Sequence, residues 1–246
     1  MKGKVFLVGA GPGDIGLITV KGLEILRSAE VVVHDALIDP NILKECRNAE
    51  MIDAGKRGGN HTMTQSETNA KLVELAKEGK RVVRLKGGDP FMFGRGAEEA
   101  AELRKAGIDV YVVPGVSSSI AVPELAGIPL THRDSASMVT IVTGHERSDR
   151  ESDRTDWKKM ASLGGTIVIM MGIGNSKSIS KQLMDGGLPG GTPAAVITMG
   201  STDEQRTEVT TLSSLHPMIV SKGLEAPGII VIGDVVKQRD ILGDMF

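Results

Sequence analysis

The sequence predicts an α/β protein with two α/β lobes, an N-terminal lobe on a mostly parallel sheet and a C-terminal lobe on a mixed sheet. In the first half, short β-branched runs alternate with amphipathic helical patterns, which is typical of βαβ units. In the second half, two apolar runs follow each other across the short polar connection STDEQRT, which indicates antiparallel pairing. This change in the order of strand and helix patterns predicts a boundary between two lobes, at 1–117 and 118–246.

The N-terminal elements follow this alternation in chain order. The strand patterns are KVFLVG, VVVHD, EMIDAG, RVVRLKGG and DVYVVPG, and the helical patterns are TVKGLEILRSA, QSETNAKLVELAKEG and GAEEAAELRKAG. Thr64 and Glu67 predict a capping box at the start of the second of these helices, and Gly79 lies just past its end. The last helix carries acidic residues in its first turn and basic residues in its last turn, as the helix dipole favours.

The C-terminal elements begin with the helical pattern SSSIAVPELAG, which Pro123 is expected to interrupt. Strand patterns follow in SMVTIVTG, TIVIMMG, AAVITMG, EVTTL and PGIIVIGDVV, of which AAVITMG and EVTTL form the predicted antiparallel pair. The charge-dense stretch 145–159 predicts a solvated loop that enters a helix near Trp157.

Composition excludes several function classes. A net charge of −2 over 246 residues argues against a broad nucleic-acid surface, and 2% aromatic residues leave little for a base-stacking platform. Cys46 is the single cysteine and the five histidines are scattered, so neither a disulfide nor a metal site is expected. The sequence contains no signal-type segment and no long apolar span, which predicts a cytoplasmic protein without a membrane partner.

Two glycine-rich stretches carry the candidate ligand chemistry. GAGPGDIG contains a GxGxxG pattern, and Asp35 follows about 20 residues later, so a nicotinamide-dependent enzyme is one alternative. Pro12 counts against it, because proline removes a backbone N–H from the turn that would bind a pyrophosphate. The helix is also expected to start near Thr19, too far from those glycines. Gly87 and Gly88 either let backbone amides approach a polar ligand or form a tight turn between a strand and a helix.

Asp35 and a set of bases are expected near one edge of the parallel sheet. Asp35 follows a buried strand pattern, and ligands of open α/β sheets bind at the carboxyl ends of strands, although an Asp there also caps loops. Several converging cations favour a small polyanion as the ligand. The candidate bases are Lys56, Arg57, His61, Arg84, Lys86, Arg95 and Arg133, the last preceded by His132.

These stretches together resemble the tetrapyrrole methylase family and, within it, the enzymes that methylate uroporphyrinogen III. The resemblance covers nearly the whole chain, and GKRGGNH, KGGDPFMFGRG and IPLTHRD in that order make it specific. It implies a two-lobed homodimer that binds S-adenosylmethionine in a cleft between the lobes and releases S-adenosylhomocysteine. It also implies methylation of uroporphyrinogen III at C2 and C7 to precorrin-2, on the path to sirohaem and cobalamin.

The resemblance also assigns roles to residues of this chain. It implies Asp35 as proton acceptor and Lys56 as proton donor, with Arg57 as the alternative donor. The bases Arg57, His61, Arg84, Lys86, Arg95 and Arg133 would face the many carboxylates of the substrate. The implied cofactor contacts are Pro12, Gly87, Gly88, Asp89, Met92, Ser117, Ser118, Met171 and Gly200.

Other functions stay open at this point. A different precorrin methyltransferase is the nearest alternative, and an rRNA 2′-O-methyltransferase would instead bind RNA with a strong salt dependence. A non-catalytic binding module would tolerate the loss of Asp35.

Overall fold

Each of two units is built on its own five-stranded sheet. The computed structural model describes residues 3–55, 63–144 and 155–245. It divides into the units Met1–Ser117 and Ser118–Phe246. Among the described residues, none of the helices combines the length and apolar character that crossing a membrane requires.

The N-terminal sheet is parallel in all its described pairings and has the strand order β3-β2-β4-β1-β5. All five strands coincide with patterns predicted from the sequence. They are β1 (Lys4–Gly9), β2 (Val31–His34), β3 (Glu50–Asp53), β4 (Arg81–Lys86) and β5 (Asp109–Val113). Because every strand points the same way, the loops that follow them emerge at one edge.

Helices cover both faces of this sheet, because successive strand residues point to opposite sides. Val83 and Leu85 of β4 pack in the cluster that contains Leu26 of the first helix. Val82 packs on the other face with the cluster that contains Leu103. The helices are α1 (Val20–Arg27), α2 (Pro40–Leu43), α3 (Gln65–Lys77) and α4 (Gly96–Lys105), and a 3₁₀ turn spans Ile15–Leu17.

The helix boundaries follow local capping chemistry. Thr64 and Glu67 form the predicted capping box of α3, with Thr64 N donating to Glu67 Oε2 at 2.6 Å. The short helix α2 is absent from the sequence prediction. Its signal was the pair Asp39 and Pro40, since the Asp39 side chain accepts from Asn41 N at 2.6 Å and proline suits the first helical position.

The C-terminal sheet is mixed and has the order β6-β7-β10-β8-β9. The predicted antiparallel pair is confirmed as β8 and β9, while β6 and β7 run parallel. The strands are β6 (Val139–Thr143), β7 (Thr166–Met170), β8 (Pro193–Thr198), β9 (Arg206–Thr211) and β10 (Gly228–Ile232). The helices are α5 (Ser118–Leu125), α6 (Trp157–Ala161), α7 (Ser176–Asp185), α8 (Leu215–Lys222) and α9 (Arg239–Leu242), with 3₁₀ turns at Ile173–Asn175, Leu212–Ser214 and Asp234–Gln238.

Two C-terminal predictions need correction. Pro123 does not interrupt α5 but lies inside it, and its carbonyl accepts a hydrogen bond from Ile128 N at 2.9 Å just beyond the helix. The predicted strand PGIIVIGDVV ends at Ile232, because Gly233 adopts φ +142° and turns the chain into a 3₁₀ helix. The helix predicted near Trp157 is α6, and residues 145–154 of the predicted loop stretch 145–159 lie outside the described residues.

Candidate active site

Glycine backbone joins the loops that follow β1, β4 and β5. Gly88 N donates to Gly11 O at 2.7 Å, and Gly11 N donates to Gly88 O at 3.2 Å. A Cβ added to Gly115 would lie 2.2 Å from the Gly88 carbonyl oxygen, so glycine is required there. A Cβ added to Gly87 would meet no heavy atom of the described residues within 4 Å. The backbone at Gly87 therefore faces open space that a ligand can enter.

The Asp89 carboxylate shapes the loop after β4. Its Oδ1 accepts hydrogen bonds from Phe91 N at 2.8 Å and Met92 N at 3.1 Å, and its Oδ2 accepts from Gly115 N at 3.1 Å. A carboxylate that accepts from backbone N–H groups makes strong, charge-assisted hydrogen bonds. Asp89 thus fixes the loop after β4 against the loop after β5.

The same loop has a strained backbone and exposed aromatic rings. Phe93 and Arg95 adopt φ of +53° and +59°, a region that residues with a side chain occupy rarely and that is enriched at functional sites. Phe91 is 51% exposed and Phe93 is 41% exposed. Rings of this size are usually buried, so their exposure leaves apolar surface available for contact beside Gly87 and Gly88.

Asp35 lies directly after β2, at the same edge of the sheet. The Arg84 guanidinium forms an ion pair with its Oδ1, and Lys86 Nζ lies 3.9 Å from its Oδ2. One third of the Asp35 side chain is exposed. Asp35 is therefore held by a buried cation through one oxygen, while the carboxylate still reaches the surface.

Arg84 and Lys86 belong to a buried ion-pair cluster with Glu99 of α4. Arg84 Nε and Lys86 Nζ each lie 3.2 Å from Glu99 Oε1. Gln65, the first residue of α3, donates to the same oxygen at 3.0 Å. Sequence reasoning missed Glu99, reading it as a first-turn acid that favours the helix dipole. Its spacing from buried Leu103, four residues on, was the available signal for an inward-facing carboxylate.

The burial of Arg84 and Lys86 corrects a prediction. Their side chains are 4% and 3% exposed, so they do not form the open, ligand-facing surface that the sequence led us to expect. Both follow the alternation of β4 and point to the face covered by α3 and α4. Burial lowers the pKa of Lys86, the neighbouring charge of Arg84 lowers it further, and Asp35 and Glu99 oppose this effect.

The other predicted bases have varied surroundings. Arg95 is half exposed and pairs with Glu98 at 2.6 Å, and Arg133 is exposed. The predicted residues Lys56, Arg57 and His61 lie outside the described residues.

The predicted cofactor contacts of the C-terminal unit follow strand ends. Met171 comes directly after β7 and Gly200 follows β8 by two residues. Met171, Met199 and Ser201 all adopt positive φ, between +50° and +67°. A Cβ on Gly200 would lie 2.4 Å from Val122 Cγ1, so glycine is required there. Among the other predicted contacts, Ser117 is buried, whereas Pro12, Met92 and Ser118 are half-buried.

The helix positions argue against the dinucleotide alternative. α1 begins at Val20 with Thr19 as its N-cap, as the sequence predicted. The GxGxxG glycines therefore do not lie at the N-terminus of α1, where a pyrophosphate would bind. Gly11 instead pairs with Gly88.

Comparisons with known proteins identify the family of this chain. The family model described as Tetrapyrrole (Corrin/Porphyrin) Methylases matches residues 4–216. The S-adenosyl-L-methionine-dependent uroporphyrinogen III methyltransferase of Methanosarcina barkeri is 51% identical over 98% of this chain and 95% of its own length. The uroporphyrinogen-III C-methyltransferase of Synechocystis is 52% identical over 96% of this chain and 90% of its own.

A solved structure agrees with the fold as well. The uroporphyrin-III C-methyl transferase of Thermus thermophilus, crystallised with S-adenyl homocysteine, is 35% identical and gives a TM-score of 0.81. The match covers 96% of this chain and 99% of that one. On the strength of its sequence, its fold and these matches, the chain belongs to the tetrapyrrole methylase family.

Proposed function

We propose that this protein is an S-adenosylmethionine-dependent C-methyltransferase that methylates uroporphyrinogen III at C2 and C7 to give precorrin-2. The observation that carries the proposal is the near full-length match, at about half identity, to relatives named for this activity. Precorrin-2 is the precursor of sirohaem and cobalamin.

The glycine-containing loop after β4, at Gly87 and Gly88, is suited to bind the cofactor. Gly87 offers open backbone, and Asp89 holds the surrounding loop through three backbone N–H groups. When bound, S-adenosylmethionine supplies an activated methyl group on a sulfonium and leaves as S-adenosylhomocysteine. Pro12, Gly87, Gly88, Asp89, Met92, Ser117, Ser118, Met171 and Gly200 are the contacts that we propose for it.

Asp35 is the proposed proton acceptor. A pyrrole ring that gains a methyl group at carbon must lose a proton elsewhere, and a positioned carboxylate serves as general base. Its partial exposure and its ion pair with Arg84 fix the orientation of the carboxylate while leaving it accessible. Lys56 is the proposed proton donor, with Arg57 as the alternative.

We further propose a homodimer in the cytoplasm that needs neither nucleic acid nor a membrane. The homodimer comes from the family resemblance, and the single cysteine is typical of a reducing compartment. Arg57, His61, Arg95 and Arg133 are the bases proposed to meet the carboxylates of the substrate.

An anaerobic assay tests the proposed activity. Incubation with S-adenosylmethionine and uroporphyrinogen III should give a product that carries two more methyl groups, each in place of a lost proton, so its mass rises by two CH2 units. Two molecules of S-adenosylhomocysteine should be released for each product. Parallel reactions contain precorrin-2 or ribosomal RNA as the acceptor. Methylation of either of those without uroporphyrinogen III would reassign the substrate, and no methyl transfer to any acceptor would support a binding module.

A further inference from the structure

Glu99 is the centre of a buried cluster that ends at Asp35. Three donors from two elements converge on its Oε1: Arg84 Nε and Lys86 Nζ from β4, and Gln65 Nε2 from α3. Its second oxygen, Oε2, is buried without a hydrogen-bond partner among the described residues. The Glu99 side chain is fully buried, so these contacts hold its charge away from water.

Within the described parts of the chain, the cluster is balanced in charge, with two cations and two carboxylates. Removing one partner from a buried ion-pair group leaves an uncompensated charge, which is strongly unfavourable. Arg84, Lys86 and Glu99 are at most 4% exposed, whereas Asp35 is 33% exposed. Asp35 is therefore the member through which the cluster reaches the surface.

We infer that Glu99 is a positioning residue for Asp35, acting through Arg84 and Lys86. This inference rests on the proposed role of Asp35 as proton acceptor. Glu99 draws Lys86 Nζ to 3.2 Å and so keeps it 3.9 Å from Asp35 Oδ2, beyond hydrogen-bond distance. Asp35 Oδ1 accepts from Arg84, and Oδ2, which accepts no hydrogen bond from the residues that the structure describes, is left to receive the proton from the substrate.

Loss of the Glu99 charge should turn Lys86 toward Asp35. Without that carboxylate, Asp35 is the remaining anion of the cluster, and Lys86 Nζ closes on Oδ2. Burial already lowers the pKa of Lys86, so its charged form depends on a nearby anion. Both carboxylate oxygens of Asp35 are then occupied, so turnover falls. The loop at Gly87 and Gly88, which we propose for the cofactor, is unchanged.

The test compares Glu99→Gln with Glu102→Gln, an isosteric change on the exposed face of the same helix. We expect Glu99→Gln to lower kcat about 100-fold, the scale of a misplaced catalytic group. The KM for S-adenosylmethionine and the Kd for S-adenosylhomocysteine should stay within about twofold of the wild-type values, and Glu102→Gln should match the wild type throughout. A wild-type kcat in Glu99→Gln, or equal losses in kcat and cofactor affinity, would overturn the inference.

A second variant tests charge balance directly. Glu99→Gln/Lys86→Met leaves one cation and one carboxylate, so its kcat should be at least about tenfold higher than that of Glu99→Gln. An equal or lower kcat in the double variant would contradict the mechanism. If Glu99→Gln does not fold, Glu99→Asp keeps the charge but shortens the side chain, and an undiminished kcat there would count against positioning. An inactive wild-type enzyme in the same assay would instead reject the proposed function.

Discussion

Asp35 combines a fixed orientation with access to the surface, and this makes its role testable. Asp35→Asn keeps the size of the side chain and an oxygen for Arg84, but it removes the base. We expect kcat to fall by about 10²- to 10⁴-fold, the usual contribution of a general base. The Kd for S-adenosylhomocysteine, measured by calorimetry, should not change.

The control for Asp35→Asn is Asp39→Asn, four residues further along the chain. Asp39 caps α2, and asparagine caps helices about as well as aspartate. Asp39→Asn should therefore keep full activity. Wild-type turnover in Asp35→Asn would remove the proposed role of this carboxylate.

Cys46 gives a pH-dependent contribution to stability. Burial, with a smaller effect from the charge of Glu45, raises the pKa of the thiol from 9.0 to about 11. The folded state therefore favours the protonated thiol, and this stabilisation is present below about pH 9 and lost as pH rises through about 11. The free energy of unfolding should fall more steeply over that range in the wild type than in Cys46→Ala, as measured by urea titration. Equal slopes would show that Cys46 does not ionise differently on unfolding.

At the residue scale, the sequence predicted where Asp35 lies but not what surrounds it. Its position followed from a buried β-branched run and the rule that strand ends carry ligands. Glu99, fifteen residues beyond Arg84, became its indirect neighbour through the pairing of β2 with β4 and the packing of α4. Such contacts depend on strand order and helix rotation, which local patterns do not contain.

At the scale of elements, α3 depends on its N-terminal capping box. Thr64→Ala removes the side-chain acceptor for Glu67 N, an interaction at 3.2 Å. We expect a loss of about 1 kcal/mol in the free energy of unfolding, the usual cost of removing a threonine cap. Chemical denaturation of Thr64→Ala and of Thr64→Ser, which keeps the hydroxyl, measures the effect. Equal stability of the two variants would mean that the cap does not limit α3.

Helices and strands were predictable where the apolar periodicity and the capping or turn residues indicated the same bounds. The N-terminal strands and α3 have clear apolar runs and caps, so their bounds followed closely. The helix α2 has four residues, too few for a periodic pattern, and its evidence was the Asp-Pro pair alone. The end of β10 is set by the positive φ of Gly233. The sequence did not show this end, because Val235 and Val236 continue the apolar pattern beyond it.

At the scale of the whole molecule, ligand choice separates a methyltransferase from a dinucleotide enzyme. S-adenosylhomocysteine at about a hundredfold above its Kd should stabilise the protein by about 2.7 kcal/mol, because it binds the folded state. NADH should give no shift in thermal unfolding at the same concentration. A shift with NADH alone would restore the dinucleotide interpretation.

The fold class was the most accessible property of the whole chain. Alternating strands and helices fixed a parallel sheet, and the short STDEQRT connection indicated an antiparallel pair, confirmed as β8 and β9. The burial of Arg84 and Lys86 could not be predicted from the sequence. A basic residue in a strand is expected at the surface unless a carboxylate that pairs with it, here Glu99, is known.

The glycine contact between the loops after β4 and β5 has a consequence for protein engineering. Gly115 leaves no room for even a methyl group beside the Gly88 carbonyl, so every substitution there would force these two loops apart. Phe91 and Phe93 are exposed on the loop after β4, where side chains are less tightly packed than at Gly115, and the positive φ of Phe93 disfavours only β-branched replacements there. Attempts to engineer the enzyme to accept other macrocycles should therefore begin with substitutions at Phe91 and Phe93.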